Sequence, residues 1–515
     1  MSITIENKNN SLLLTFSEIY NRIQTGSYYI TKDNIVIKVI NDYVIILNRE
    51  EQFKINYNDV TSPSAGSAML LAELIQGYLG VPINSASKTD ITTMNSAEIS
   101  STFKIDAFGR TRVSEPVTLF DSNFLTNRQL YNWAESSYGT HTHQPGKTYI
   151  EVKTESGVNG NAIRQTRQYF RYQPGKSILI MMTGVLEVSG GQTDIKSRIG
   201  YYDSSTDKTV DDIKSGDGYF FELDGTALGV VQRSFTSGSE VNTRVEQKDF
   251  NIDTVDGTGN SGMTIDPSMA NIFWIEQEWL GVGSVVMGFV YQRNYIPVHV
   301  FYHANLLQVP YTSRATLPVR YEIIAENNTT NVGELRQICC AVLSEGGFEP
   351  KGHLYSVGSE VQKSNIPNYS SAQEYNGIIA IRKKAARVRS SARVLGFELL
   401  VPSAGNIKYI LAHYQAPDPL PFITTTWISS DDNSVIEYSY VDGTVVSEST
   451  INTNAIRIYV GFTSNNKDHV IIEKDKTGVI ANDIEGNSDI YVLYATGIAS
   501  SSEDVFGSIF WQEYE

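Results

Sequence analysis

The sequence predicts a mainly β protein, with a small α+β amino-terminal module followed by two β-sandwich or jelly-roll-like domains. Three observations carry this. Short apolar-polar alternations recur along most of the 515 residues, turn residues separate them, and the surface composition is polar without being strongly charged. Only 19% of residues are Asp, Glu, Lys or Arg, while Tyr numbers 30 and Gly 39. Exposed helices rely on Glu, Lys, Arg and Gln, so this balance favours half-buried strands. At about 100–200 residues per domain the length allows roughly two to four of them.

Residues 1–82 read as the separate docking module. Phe16, Ile19, Tyr20 and Ile23 fall at i, i+3, i+4 and i+7, which predicts a short amphipathic helix capped by Thr15. Strand patterns follow over 27–31, 35–40, 43–48 and 52–57, and Asn41-Asp42 suits a tight hairpin turn between the second and third. Residues 66–80, entered through Ser62-Pro63-Ser64-Ala65 and left through Gly80-Val81-Pro82, predict a second helix. Residues 83–103 are polar with few apolar anchors and read as a linker.

From 104 to 354, strand patterns at 147–153, 178–188, 218–223, 227–234, 272–280, 284–291, 298–302 and 319–323 alternate with turn signals. The signals are Pro145-Gly146, Gly190-Gly191, Asp224-Gly225, Asp256-Gly257 and Asn327-Asn328, and such spacing without long helices indicates a sandwich. Residues 355–377 are again polar and read as a second linker. Residues 378–515 read as a second sandwich, with strands over 378–382, 394–401, 407–413, 455–462 and 490–495. No repeat of about 20–50 residues marks a solenoid or propeller.

Lys and Arg total 41 against 57 Asp and Glu, a net charge of -16. Phosphate-backbone binding needs a basic face, so nucleic acid is not expected as the main partner. Cys339 and Cys340 are the only cysteines and are adjacent, so on a strand they point to opposite faces; both read as small buried residues. The amino terminus lacks a basic segment followed by an apolar stretch. The longest apolar runs, such as Ile178-Leu179-Ile180-Met181-Met182, fall far short of the ~20 residues that span a bilayer, so membrane insertion is not expected and folding is expected in a reducing cytoplasm.

Several constellations invite chemistry. His141 and His143 share a loop, and His299 and His303 lie four apart on a strand, roughly 13 Å. Zinc needs at least three ligands and no third is assigned, so these histidines read as hydrogen-bonding side chains. Asp203, Asp207, Asp211, Asp212 and Asp217 crowd one loop, and Asp249, Asn251, Asp253 and Asp256 another. Both offer oxygen ligands for calcium, yet counted from Asp249 the sixth position is Thr254 and the twelfth Asn260, against the EF-hand pattern, so solvated loops are expected. The basic run Arg382-Lys383-Lys384, Arg387, Arg389 and Arg393 reads as a contact for an acidic subunit or as a solvated loop.

On a strand, Trp274, Glu276 and Glu278 share one face, where paired carboxylates and a stacking ring suit glycan contact or cleavage. The plainer reading puts Phe273, Ile275 and Trp279 in the core and both glutamates on a wet face. Gly257, Gly259 and Gly262 keep the spacing G-x-G-x-x-G, but no long helix follows, so a turn is expected. No Gly-x-Ser-x-Gly, Walker loop or Cys-x-x-Cys occurs; no catalytic residue, metal ligand or cofactor is assigned, and the chain is not expected to be an enzyme.

A set of phrases carries a resemblance. They are Ile105-Asp106-Ala107-Phe108-Gly109-Arg110-Thr111-Arg112-Val113-Ser114 with Leu119-Phe120-Asp121; the run Arg164 to Ser177; Gly218-Tyr219-Phe220-Phe221-Glu222; Asp256-Gly257-Thr258-Gly259; Trp279-Leu280-Gly281-Val282-Gly283; Leu317-Pro318-Val319-Arg320-Tyr321-Glu322-Ile323; and Ser344-Glu345-Gly346-Gly347-Phe348. Over residues 105–350, and more loosely at Phe510-Trp511-Gln512-Glu513, the chain resembles a family of virion structural proteins of tailed bacteriophages, described as fibre or appendage components. The resemblance implies a β-rich, multi-copy, homotrimeric particle protein without catalytic residues. Its implied location is the virion, after assembly in the host cytoplasm, with capsid, portal or neck, or tail proteins as partners.

Arg110, Arg112, Arg164, Arg167 and Arg171 crowd the best-matching phrases of an acidic chain. Arg pairs bidentately with carboxylates at packed interfaces, so these five are the expected domain or subunit contacts. The leading expectation is a head-fibre or tail-fibre component anchored through its amino-terminal module. Two alternatives stand beside it: a receptor- or glycan-binding protein at the appendage tip, suited by 30 amphipathic Tyr, and a polysaccharide-degrading spike resting on Glu276 and Glu278.

Overall fold

The structure, a computed structural model, describes residues 2–7, 10–15, 28–30, 35–40, 43–47, 52–56, 116–204, 216–347, 351–359, 363–366, 373–387, 389–402, 406–417, 426–441, 445–464, 467–471, 478–498 and 503–514. The chain divides into two compact units, Met1–Ile99 and Ser100–Glu515. In the first, β1 (Ser2–Asn7) and β2 (Asn10–Thr15) pair antiparallel. Strands β3 (Tyr28–Ile30), β4 (Ile35–Ile40), β5 (Tyr43–Leu47) and β6 (Gln52–Asn56) form an antiparallel meander with Ile40 opposite Tyr43. The helices expected over 16–23 and 66–80, and the linker expected over 83–103, lie outside the described residues.

The second unit holds two antiparallel sandwiches. The strands of the first are β7 (Val117–Asn123), β8 (Trp133–Glu135), β9 (Thr140–Gln144), β10 (Tyr149–Lys153), β11 (Gly160–Thr166), β12 (Ser177–Val185), β13 (Ile195–Tyr202), β14 (Gly218–Asp224), β15 (Ala227–Ser234), β16 (Val241–Glu246), β17 (Asn271–Gln277), β18 (Val285–Tyr291), β19 (Asn294–Phe301), β20 (Val319–Ala325) and β21 (Glu334–Glu345). One sheet runs β19-β18-β17-β12-β21-β10-β9, with β7 also on β21; the other runs β16-β15-β14-β13-β20-β11-β8. Their facing sides share one core, in which Phe221, Phe273 and Phe289 pack with ring centres 5.0–5.3 Å apart. Such inward alternation from both sheets is what a sandwich core requires. At the β14–β15 hairpin Gly225 takes φ +57°, and Asn327 and Asn328 take φ 54° and 51°, left-handed values that Gly and Asn tolerate best.

The second sandwich has β22 (His353–Gly358), β23 (Lys363–Ile366), β24 (Glu374–Lys383), β25 (Ser391–Leu400), β26 (Asn406–Tyr414), β27 (Ile428–Ser429), β28 (Ile436–Tyr440), β29 (Val445–Ser447), the short helix α1 (Glu448–Asn454), β30 (Ile456–Ser464), β31 (Lys467–Ile471), β32 (Ile490–Gly497) and β33 (Glu503–Tyr514). One sheet runs β22-β33-β25-β31 with β23 also on β33, and the other β27-β28-β24-β32-β26-β30 with β29 on β24. Phe397, Leu411, Leu493, Ile509 and Trp511 fill the space between them. The Ser447 hydroxyl caps α1 by accepting from the Thr450 amide at 3.2 Å.

Two expectations change here. The segment 355–377, read as a linker, carries most of β22, all of β23 and the start of β24. Its polarity is that of an outer strand, since β22 pairs only with β33 among the described strands and its side chains are half to fully exposed. Cys340 is buried but Cys339, on the opposite face of β21, is half-buried.

Candidate functional site

The two sheets of the first sandwich differ in what they turn outward. On β11, β13, β14 and β20 the inner row is Arg164, Tyr321, Ile199 and Phe221, and the neighbouring outer row is Ile163, Glu322, Arg198 and Glu222. Cross-strand neighbours on one face interact directly, so the outer row is a ladder of alternating charge. Arg198 donates to Glu222 at 2.7 Å and to Glu322 at 3.3 Å, Arg244 donates to Glu222 at 2.9 Å, and Arg320 donates to Glu322 at 2.8 Å. The Tyr202 hydroxyl adds a bond to Glu322 at 2.9 Å. Burial alone raises a carboxyl, but the Arg320 and Arg198 guanidinium groups overcome it and hold Glu322 well below the carboxylate range.

The same outward face meets the second sandwich. Ala134 and Ile163 pack on Ile484, a small apolar cluster between the two domains. Arg167 reaches across, donating to Asp489 Oδ1 at 2.6 Å and to the Ala416 carbonyl at 2.7 Å. Asp489 also accepts from the Ala416 amide at 3.0 Å and lies 3.0 Å from His413 Nε2. Desolvation pushes the Asp489 carboxyl up, the His413 hydrogen bond and Arg167 pull it down further, and it settles at about 2. The second pair runs the other way. Arg389 of the second sandwich lies 2.7 Å from Asp203 of the first and donates to the Ser204 carbonyl at 3.2 Å, with both side chains fully buried.

In these two ion pairs each domain gives one arginine and takes one. Near Asp489 and Arg167, Lys383 is buried and donates to Asn482 Oδ1 at 2.9 Å, and the Asn482 backbone amide bonds the Arg167 carbonyl at 3.4 Å. Desolvation lowers Lys383 to about 7 against the attraction of Asp489, with Arg167 adding to the lowering.

The expected site residues fall as follows. Arg167 and Arg171 both reach the second sandwich; Arg171 donates to the Lys351 carbonyl at 3.0 Å and sits 5.6 Å over the Tyr514 ring. Arg164 stays within the first, donating to Gln337 at 2.6 Å and to the Arg128 carbonyl at 2.8 Å, pairing with Glu135, and lying between Phe124 and Trp133. Arg110 and Arg112 lie outside the described residues.

Trp274 and Glu276 do share one face of β17, with Phe273 and Ile275 in the core. The glycan-contact expectation meets a correction, because Trp274, Glu276 and Glu278 are only 5%, 6% and 0% exposed. The indole N–H is held by the Phe289 carbonyl at 3.0 Å and Tyr295 lies edge-on to the ring. No ring face is open to a sugar, and neither glutamate is the wet position that alternation suggested.

The basic run is not a solvated loop either: Arg389 and Lys383 are at the domain seam, Arg382 pairs with Glu437 at 2.6 Å, and Lys384 donates to the Asp431 carbonyl at 2.7 Å. The acidic loops are tied internally. Asp217 accepts from the Phe235 and Ser313 amides at 3.0 and 2.9 Å, Asp253 from the Val255 and Ser261 amides, and Asp256 from Thr254 and Thr258. Asp207, Asp211 and Asp212 lie outside the described residues. His143 bonds the Phe124 carbonyl, and His299 accepts from the Asn251 amide. Among the described residues no group of three or more His, Cys, Asp or Glu is placed to hold a metal ion, and no helix is long and apolar enough to cross a membrane.

A second surface feature sits at one end of the first sandwich. Leu280, Tyr302, Leu306, Leu307 and Val309 are all exposed on two neighbouring loops. The loops are fixed to each other: the Tyr311 amide bonds the Gly281 carbonyl at 2.9 Å, and the His303 ring stacks on Tyr311 at 3.7 Å with its nitrogens against Gly283 O and Gln232 Oε1.

Sequence reasoning placed Asp203 in a solvated acidic loop, whereas it is fully buried against Arg389, and it missed Asp489, His413 and the ladder partners. Arg320 and Glu322 carried a usable signal, since two charges at i and i+2 within Val319-Arg320-Tyr321-Glu322-Ile323 fall on one face of a strand.

No family model matches the chain, and no curated protein matches it. Among solved structures, an endo-1,3-β-glucanase from Streptomyces sioyaensis is similar at 7% identity, over 45% of this chain and 98% of that one, with a TM-score of 0.33. An endo-β-1,4-glucuronan lyase from Trichoderma reesei is similar at 10% identity, over 44% and 95%, with a TM-score of 0.29. A legume lectin-like domain from Entamoeba histolytica is similar at 7% identity, over 45% and 98%, with a TM-score of 0.28. All three scores are below 0.5, so these likenesses carry no argument about function.

Proposed function

We propose that the chain is a structural component of a phage virion appendage, a head or tail fibre, whose two sandwiches act as one stiff arm. One observation carries the reading: within the phrase Arg164 to Ser177, one of those that carry the phage resemblance, Arg167 and Arg171 make contacts that join the two β domains. A protein whose task is shape spends its buried charges on fixing domains, where Arg–carboxylate pairs give directional contacts. The role requires no catalytic group. Gold labelling of the chain on purified particles tests it in the electron microscope. Label at a head vertex, the neck or the tail is expected, and mass spectrometry finding no copy of the chain in the particles overturns it.

A second reading, receptor or glycan recognition at the appendage tip, is favoured by the Leu280–Val309 end, where Tyr302 stands exposed on a pre-ordered loop beside four apolar side chains. Aromatic rings on fixed loops suit a sugar or protein contact. A glycan array with no specific ligand, or unchanged binding after Tyr302→Ala, counts against it.

A further inference from the structure

Strand β30 ends its sheet. It pairs with β26 on one side and with no described strand on the other. Strand β31, the next in the chain, ends the opposing sheet in the same way, paired only with β25 among the described strands. An outer strand presents a row of unpaired N–H and C=O groups, and proteins guard such rows with charge, proline or short length.

Several other outer strands follow that rule, while β9 and β22 are uncharged but shorter, at five and six residues, and bear polar or histidine side chains. Strand β16 carries Arg244 and Glu246, β19 carries Pro297, and β8 and β27 are three and two residues long. Strand β30 has nine residues, and from Ile458 to Ser464 it contains neither a charge nor a proline. Its single charge, Arg457 near one end, lies 3.4 Å from Glu448 of α1. The side chains along this edge are apolar and face water: Val460 is 40% exposed and Phe462 65%, with Ile471 of β31 and Leu400 of β25 also exposed.

Charge decides what covers the edge. Chains of net charge -16 repel one another, and the cost is lowest where the approaching surfaces carry no anion. The stretch Ile456–Ser464 has none. Antiparallel pairing of β30 on itself keeps the two Arg457 side chains toward opposite ends, whereas parallel pairing sets them side by side. A two-fold contact is also the commonest closed arrangement of identical chains. We propose that the β30 edge is a contact between two copies of this chain, joined antiparallel about a two-fold axis, so that their seven-stranded sheets continue into one. The proposal rests on the reading of a multi-copy particle protein and departs from the threefold assembly that the resemblance implies.

Sedimentation of the full chain at tens of micromolar tests it, with the double variant Val460→Lys/Phe462→Lys and, as a control at an exposed position of the first sandwich, Leu306→Lys. The wild type is expected to run as a dimer or an even multiple of it, the double variant at half that mass, and the control unchanged. Both replaced side chains already face water, so the near-ultraviolet circular dichroism of the double variant stays that of the wild type. The milder Phe462→Ser raises the dissociation constant at least tenfold. Hydrogen exchange at the amides of 459–464 is slower in the wild type than in the double variant. A monomeric or trimeric wild type, or a double variant of unchanged mass, overturns the contact. A monomer that is still found on particles overturns this edge alone, and absence from particles overturns the virion reading whatever the mass.

Discussion

Two surfaces of the second sandwich are made of opposite materials. Where it meets the first sandwich, the contact is built from buried charges, with Arg167 on Asp489 in one direction and Arg389 on Asp203 in the other. Along β30 from Ile458 to Ser464 the surface carries no charge, and the strand's outer edge is unpaired among the described strands. The contrast teaches what each contact is for. A buried ion pair tolerates one geometry, because a charge left without its partner is costly, so it fixes two domains of one chain in a single arrangement. An apolar strand edge needs only another strand, and its geometry is set by the ladder.

Breaking the charged surface has the largest expected effect. Arg389→Met leaves the Asp203 carboxylate fully buried without its cation and is expected to cost about 3–5 kcal/mol in denaturant unfolding. Adding Asp203→Leu to the same chain recovers most of that loss, because two apolar side chains of similar volume replace the pair. Arg167→Met costs less, about 2–3 kcal/mol, because Asp489 retains its bonds to His413 and the Ala416 amide.

A pH titration sharpens the same surface. Lys383 has a folded pKa of about 7 against an ordinary 10.5, so between those values the unfolded chain binds a proton that the folded chain does not. Its contribution to stability therefore rises as pH rises from about 7 toward 10.5, and Lys383→Met flattens that part of the stability–pH curve. The smallest effects belong to the apolar surfaces. At concentrations where the wild type is monomeric, Val460→Lys and Leu306→Ser each change unfolding free energy by no more than about 0.5 kcal/mol, the usual range for exposed positions, and at tens of micromolar only the first alters the mass in solution.

Much of the fold was legible in the sequence because strand pairing leaves a local trace. Alternation placed Phe273 and Ile275 inward and Trp274 and Glu276 outward, and Asp224-Gly225 marked the β14–β15 hairpin. Alternation says which face a residue takes, however, and not what lies over that face, so the burial of Glu276 and Glu278 was not readable. The segment 355–377 misled for a related reason: the half-exposed outer strand β22 has the composition of a linker. The domain seam was least legible. Arg389 stood out only as part of a basic run, and nothing near it in the chain points to Asp203, since that pairing exists only after two separate sandwiches have docked.

The most direct test of the arm is hydrogen exchange on the full chain, comparing core amides of β11 and β20 with those of β24 and β32. Two sandwiches locked by reciprocal ion pairs open together, so the slowest amides of both report the same opening free energy, and Arg167→Met/Arg389→Met splits them into two values. Two different values already present in the wild type, unchanged by the double substitution, would contradict the account.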